Sequence, residues 1–381
     1  MIEQLGWGRG EASIAHTINA LAIGFLSPIM ALSINRFGVK KTMISGLAVM
    51  IVGLVLLGTI PLQLWIWIVL WGLIVPIGLS FGGLFPIQTT IMHWFNIRRA
   101  TVLGIVMTGA ALAGFIAQPT FTWLIQSTKS WQTGWLAESG LVLLALIFAF
   151  FIVDKPEKLG QHTDGLSPEE ADASMETSHK AARTYRTSQT WTFKEILRTP
   201  AFWFIAGIGL VHIMPVFLII THGVLHFTDQ GYSKMQAATI LSFVILGSST
   251  ARFPMGWLGD RFEPRLISTL AYLLMLLTFI GIWRAPNLAV LIVTGFLFGI
   301  SYGTLLVMMP SLLGNYFGPS NYASLMGVLG PLITICGAII PVGGGIIADK
   351  TGSYDLAFII ISLIIVFGII SAFLSKPPQK T

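Results

Sequence analysis

The 381-residue chain is 54% hydrophobic and only 10% charged, with 40 glycines and 18 prolines, and its mean hydropathy is +0.80. A soluble domain carries about a quarter charged residues, so these values exclude a water-soluble globular protein. The net charge of +6 does not point to nucleic acid, because the cations sit in short loops between apolar runs, where they set membrane orientation.

A helix that crosses a bilayer takes roughly 20 apolar residues, and eleven such segments are predicted. The first, 10–34, carries Asn19 within it and ends on the turn Asn35-Arg36-Phe37-Gly38-Val39-Lys40-Lys41. Segments 42–61 and 64–93 follow, then Arg98 and Arg99. Segment 99–126 holds Gln118 and the small residues Gly109 and Gly114, which suit close helix packing. Segment 136–153 completes five spans. The polar stretch 154–199 comes next. Its part from 161 to 188 reads as flexible, and Trp191–Arg198 reads as a short interfacial helix.

Six spans follow. Segment 200–227 contains His212, His222 and His226. Segment 232–259 contains Ser248, Arg252 and Pro254 and ends on Asp260-Arg261-Phe262. Segments 265–283, 287–315 (with Tyr302), 321–348 and 354–375 close the chain. The expected organisation is therefore all-α and integral to the membrane: 1–153 as a first lobe of five spans, 154–199 as a linker, and 200–381 as a second lobe of six. If the spans alternate, sixteen Lys and Arg fall on one side and five on the other; with Arg252 these account for all 22. The positive-inside rule puts the linker and the C-terminus in the cytoplasm, as for a multi-pass protein of a cell's inner membrane.

The chain repeats itself. Residues 6–37 align with 231–262 at a constant offset of 225, pairing Gly6 with Gly231, Met30 with Met255, Asn35 with Asp260 and Arg36 with Arg261. Two parallel halves of six helices each are the plan of one large class of transporters. At this offset the counterpart of segment 200–227 would precede residue 1. The repeat thus predicts a further helix of roughly 25 residues encoded upstream of Met1, the alternative being a genuine eleven-helix chain.

The turns Ala31-Leu32-Ser33-Ile34-Asn35-Arg36-Phe37-Gly38 and Gly256-Trp257-Leu258-Gly259-Asp260-Arg261-Phe262-Glu263 both resemble the major facilitator signature G-x-L-x-D-R-x-G. The departures include Ala31, Asn35 and Glu263. In that family the acidic residue and the arginine pin the cytoplasmic gate, which assigns a gating role to Asn35, Arg36, Gly38, Asp260 and Arg261; Asn35 brings no charge. Trp94-Phe95-Asn96-Ile97-Arg98-Arg99 and Leu197-Arg198-Thr199-Pro200-Ala201-Phe202-Trp203 are similar to the monocarboxylate and oxalate:formate branch. The resemblance implies a two-lobed bundle and secondary active transport of a small organic anion by alternating access.

Arg252 is the one cation that no loop or helix end accommodates. It lies eight residues before Asp260, about 12 Å up the helix, where a charge is expensive and marks a substrate path. Its repeat counterpart is Ser27, so the scaffold does not demand it. In the branch it resembles, an arginine here, followed within two residues by proline, binds the substrate carboxylate; the plainer reading is a gate arginine that bonds backbone carbonyls. Ser248 shares its face one turn earlier and does not titrate. His212 and His222 are read as substrate or proton contacts or as packing, and Asn19, Gln118 and Tyr302 as cavity lining or as polar bonds between helices. No metal or cofactor is expected.

With no clearly intramembrane acid in any span, proton coupling would fall to the substrate, a histidine or the upstream helix. Segment 321–348 has no second buried cation, which favours a singly charged anion, with a proton or counter-anion as co-substrate. The rival readings are a non-transporting or inactive truncated relative acting as a sensor, and an integral membrane enzyme, which would need convergent catalytic groups that this pattern lacks.

Overall fold

The computed structural model describes residues 5–167 and 184–380; most of the linker stretch read as flexible lies outside these. Among the described residues, eleven helices are long and apolar enough to cross a membrane. We label them with one short helix: α1 Arg9–Phe37, α2 Val39–Thr59, α3 Leu64–Trp94, α4 Arg99–Thr128, α5 Gln132–Ala149, the short α6 Phe193–Arg198, α7 Pro200–Asp229, α8 Lys234–Arg261, α9 Pro264–Trp283, α10 Leu288–Phe317, α11 Tyr322–Thr351 and α12 Asp355–Leu374. Every predicted span is present. The largest difference is α5, which begins at Gln132 rather than 136 and so places Glu138 six residues inside the helix.

Two helices depart from regularity, and proline explains both. Pro76 has no N–H for the carbonyl of Gly72, and the turn Leu70–Ile74 widens to a π-helix. Pro215 has none for Val211, and α7 breaks at His212 into Pro200–Val211 and Ile213–Asp229. Large apolar side chains face outward: Leu32, Leu270, Leu277 and Leu363 are each about two-thirds exposed (68%, 65%, 69% and 66%). Helices whose backbone bonds are satisfied internally tolerate this in lipid.

By contact the chain forms two compact units that do not follow the sequence halves. The first comprises Met1–Trp94, Leu112–Gln161 and Tyr322–Thr334; the second comprises Phe95–Ala111, His162–Asn321 and Ile335–Thr381. Glycines produce both exchanges. In the first unit, α1 and α11 meet where a Cβ on Gly24 would collide with Thr334 and one on Gly330 with Ser27. In the second, α4 and α8 meet backbone to backbone. A Cβ on Gly104 would strike the carbonyl of Arg252, and one on Gly256 that of Ala100. Each unit has its own interior. Leu47, Leu54, Leu57 and Trp67 pack in the first. In the second, Gly247, Gly299 and Gly303 let α8 and α10 touch through their backbones.

Candidate functional site

Arg252 projects from the middle third of α8 and is half-buried. One terminal nitrogen donates to the carbonyl of Met107 on α4 at 2.7 Å, and the other to Ser248 Oγ, one turn back on α8, at 3.2 Å. Its Nε–H is buried and has no partner. The glycine contact at Gly303 seats α10 on the carbonyl of Ser248 and so brings the neighbouring Tyr302 within electrostatic reach of the guanidinium. Behind it, the ring of His212 stacks on Tyr302 at 5.9 Å with an interplanar angle of 19°. His212 sits at the break in α7 and bonds through Nδ1 to the carbonyl of Gly209 at 2.7 Å. A carbonyl only accepts, so Nδ1 carries the proton and Nε2 is left as the acceptor.

Four predicted residues, Arg252, Ser248, Tyr302 and His212, therefore form one cluster within the second unit. His222 and Asn19 have partners of their own. His222 is ten residues beyond His212, about 15 Å along α7. It bonds Pro341 O on α11 at 2.8 Å and the hydroxyl of Tyr354 at 3.3 Å, so both ring nitrogens serve helix packing in this arrangement. Asn19 donates to the carbonyl of Trp71 at 2.7 Å, joining α1 to the π turn of α3 in the first unit. Gln118 is part of α4, and its side chain lies outside the described residues. Two groups carry no mark in the sequence: the carbonyl of Met107, and the hydroxyl of the next residue, Thr108, which is buried without a partner. Most helical threonines of this chain bond the carbonyl four residues back, as Thr250 does to Leu246; Thr108 does not.

The gating residues take up two versions of one contact. The carboxylate of Asp260, at the end of α8, accepts the N–H groups of Ala100 (2.9 Å) and Thr101 (2.8 Å). It thereby caps the start of α4, where the helix dipole favours an anion. Asn35, at the end of α1, reaches the start of α11 as well, but donates to Ser324 Oγ at 2.8 Å. Gly38 adopts φ 87°, and a Cβ there would stand 3.0 Å from Asp154 Oδ2. The same carboxylate accepts the N–H of Lys40 at 2.7 Å. Arg36 and Arg261 lie over neighbouring rings: Arg261 is 3.5 Å from the centroid of Trp257, and Arg36 is 5.2 Å from that of Phe37.

A profile of the Major Facilitator Superfamily matches residues 1–247 and 223–381, two overlapping matches that echo the internal repeat. The chain is 25% identical over 376 residues to Monocarboxylate transporter 12 of Xenopus laevis, covering 92% of the chain and 77% of that protein. It is 23% identical over 366 residues to Monocarboxylate transporter 4 of Rattus norvegicus, covering 94% and 74%. It is 22% identical to Monocarboxylate transporter 13 of the same organism, of which it spans only 61%. Among solved structures it superposes on the E. coli fucose:proton symporter with a TM-score of 0.75 at 14% identity, covering 98% of this chain and 92% of that one. The proton:xylose symporter gives 0.73 at 10% identity, covering 95% and 84%. With the whole chain matched by the profile, the chain belongs to the Major Facilitator Superfamily.

Proposed function

We propose that the chain is a secondary active transporter that carries a small organic anion, a monocarboxylate, by alternating access. The observation that carries this reading is Arg252. Placing an arginine mid-helix in a membrane costs roughly 3 kcal/mol, and no acidic side chain among the described residues forms an ion pair with it. Its two hydrogen bonds go to neutral acceptors, and its Nε–H has none. A guanidinium offers a planar fork to a carboxylate, which suits this cluster to an anion. The monocarboxylate transporters to which the chain is similar support the same substrate class.

In this reading Arg252 binds the carboxylate. Ser248 steadies the guanidinium, while Tyr302 and His212 form the wall against the organic tail. Asp260 and Asn35, with Arg36, Gly38 and Arg261, belong to the cytoplasmic gate, and the linker and C-terminus lie in the cytoplasm. The lobes 1–153 and 200–381 would rock about the site. Uptake of radiolabelled lactate into liposomes, with and without a pH gradient, tests this. Uptake by the parent and none above background by Arg252→Ala, with equal insertion, is the expected result. Stimulation by an acid exterior would mark the proton as co-substrate, and stimulation by internal anion would mark exchange. Normal uptake by Arg252→Ala would remove the site assignment, and no uptake of any monocarboxylate by the parent would favour a sensor or inactive relative.

A further inference from the structure

Read from the sequence, 154–199 is a connector. Its two described ends instead converge on one turn, Asn96–Arg98, which leads into α4. Asp164 comes from the short turn Thr163–Gly165. Its carboxylate accepts the N–H groups of Asn96 (3.0 Å), Ile97 (2.9 Å) and Arg98 (3.4 Å). Arg186 grips the same peptides from their other side. Its Nε donates to the carbonyl of Asn96 at 2.9 Å, and one terminal nitrogen donates to the carbonyls of Ile97 (2.9 Å) and Asp260 (3.2 Å). The N–H ends of this turn are thus held by one linker residue and its carbonyl ends by another.

The third carbonyl matters most. Asp260 is the residue whose side chain caps α4, and its own carbonyl lies at the C-terminal end of α8, where a cation satisfies an orphan acceptor and the helix dipole together. Arg186 therefore ties the turn before α4, from the first half of the sequence, to the end of α8, from the second. Neighbouring linker atoms extend the seam: Tyr185 N–H donates to Glu263 Oε2 at 2.8 Å and Thr187 N–H to the carbonyl of Asn315 at 2.8 Å. Burial pulls the Arg186 guanidinium pKa down, and the carboxylates of Asp260, Asp164 and Glu263 oppose that pull. Asp164 holds φ 61°, a left-handed conformation that a slack connector would relax.

We propose that Arg186 and Asp164 are positioning residues of the gate, so that the linker bolts the turn before α4 to the end of α8 while that end of the transporter is closed and releases it on opening. This rests on the reading that the chain alternates access, but its test needs no substrate. A Cβ on Gly259 would lie 3.2 Å from that of Ala100 and 2.7 Å from the flexible tip of Met308, which must shift; a few tenths of an ångström of opening brings the pair to the spacing a disulfide spans. In a Cys336→Ser background, Ala100→Cys with Gly259→Cys reports closure by its rate of oxidative cross-linking. The pair is read as a shift in mobility after protease cleavage at a site inserted between 173 and 176.

Hydrogen bonds to a charged group are strong enough that Arg186→Ala should slow cross-linking on the order of three- to tenfold, with Arg186→Lys recovering part of the rate. Asp164→Asn should slow it as well, and serves alone if Arg186→Ala does not elute as a monodisperse species. Rates unchanged in both variants, with the parent pair cross-linking readily, would overturn the proposal. A transporter that cross-links as expected but takes up no monocarboxylate would leave the bolt standing and remove only the substrate reading.

Discussion

Arg252 is held by two partners of different kinds, a fixed backbone carbonyl and a rotatable hydroxyl, and the difference is measurable. Ser248→Ala leaves the guanidinium tethered to Met107 alone. Losing one bond to a charged group costs about 1.5–3 kcal/mol at most, so KM for the anion should rise by up to about ten- to a hundredfold while kcat changes less. Arg252→Lys keeps the charge but removes the fork, and its uptake should fall further than that of Ser248→Ala. Concentration-dependent uptake in liposomes reads both; a KM for Ser248→Ala equal to the parent's would show that the hydroxyl does not steady the arginine. The sequence makes Arg252 legible because a cation in an apolar run has few explanations. It does not reveal Met107, because a backbone acceptor looks the same in every residue type. His222 shows a related limit: its place on α7 is legible, but the partners that occupy both of its nitrogens come from α11 and Tyr354, which only packing brings near. Asn35 and Asp260 are aligned by the repeat, yet one donates to a hydroxyl and the other accepts two helix amides.

At the scale of elements, two glycines bring the backbones of α4 and α8 together between the side-chain contacts of Arg252 and Asp260. A methyl on Gly104 or Gly256 would overlap a backbone carbonyl rather than a movable side-chain tip, so neither Gly104→Ala nor Gly256→Ala is absorbed by a rotamer change. Either variant should insert normally and lose most uptake, and its thermal unfolding midpoint in detergent should drop by several degrees, as expected for about 1–3 kcal/mol of overpacking. Gly109, on the same helix, has nothing within 4 Å of its would-be Cβ, and Gly109→Ala should be neutral. Equal losses at Gly104 and Gly109 would show that the approach of the Arg252 carbonyl is not what is being measured, since helix propensity alone favours alanine at both. Of these, the sequence marks Gly109 as a packing residue, with Gly114, yet neither has a neighbour within 4 Å, and it is Gly104 that a backbone approaches. The spans themselves were the most legible feature, because a run of apolar residues long enough for a bilayer has one regular solution. The start of α5 and the π turn of α3 were not, since a few polar or aromatic residues at a helix end, and a proline that shifts one hydrogen bond, leave hydropathy almost unchanged.

For the molecule as a whole, the repeat and the charge asymmetry make independent statements that must agree. The repeat places the turns after α1 and α8 at equivalent positions, and parallel repeats put equivalent turns on the same face of the membrane. The positive-inside rule predicts that this face also carries the linker and the C-terminus, since alternating spans would put sixteen Lys and Arg there against five on the other. Topology is therefore testable with two sites. Gln161, at the exposed start of the linker, and Lys129, exposed between α4 and α5, should lie on opposite faces, because α5 runs between them. In a Cys336→Ser background, a membrane-impermeant maleimide should label Gln161→Cys only in inside-out vesicles and Lys129→Cys only in right-side-out vesicles. The reverse pattern would invert the orientation and place the Asp260 and Arg186 contacts at the outer gate, leaving their chemistry intact and changing which side of the membrane they close. Labelling of both residues from one side would be more damaging. It would break the alternation of spans on which the parallel repeat depends, and with it the reason for expecting Arg252 to lie in a path between two faces.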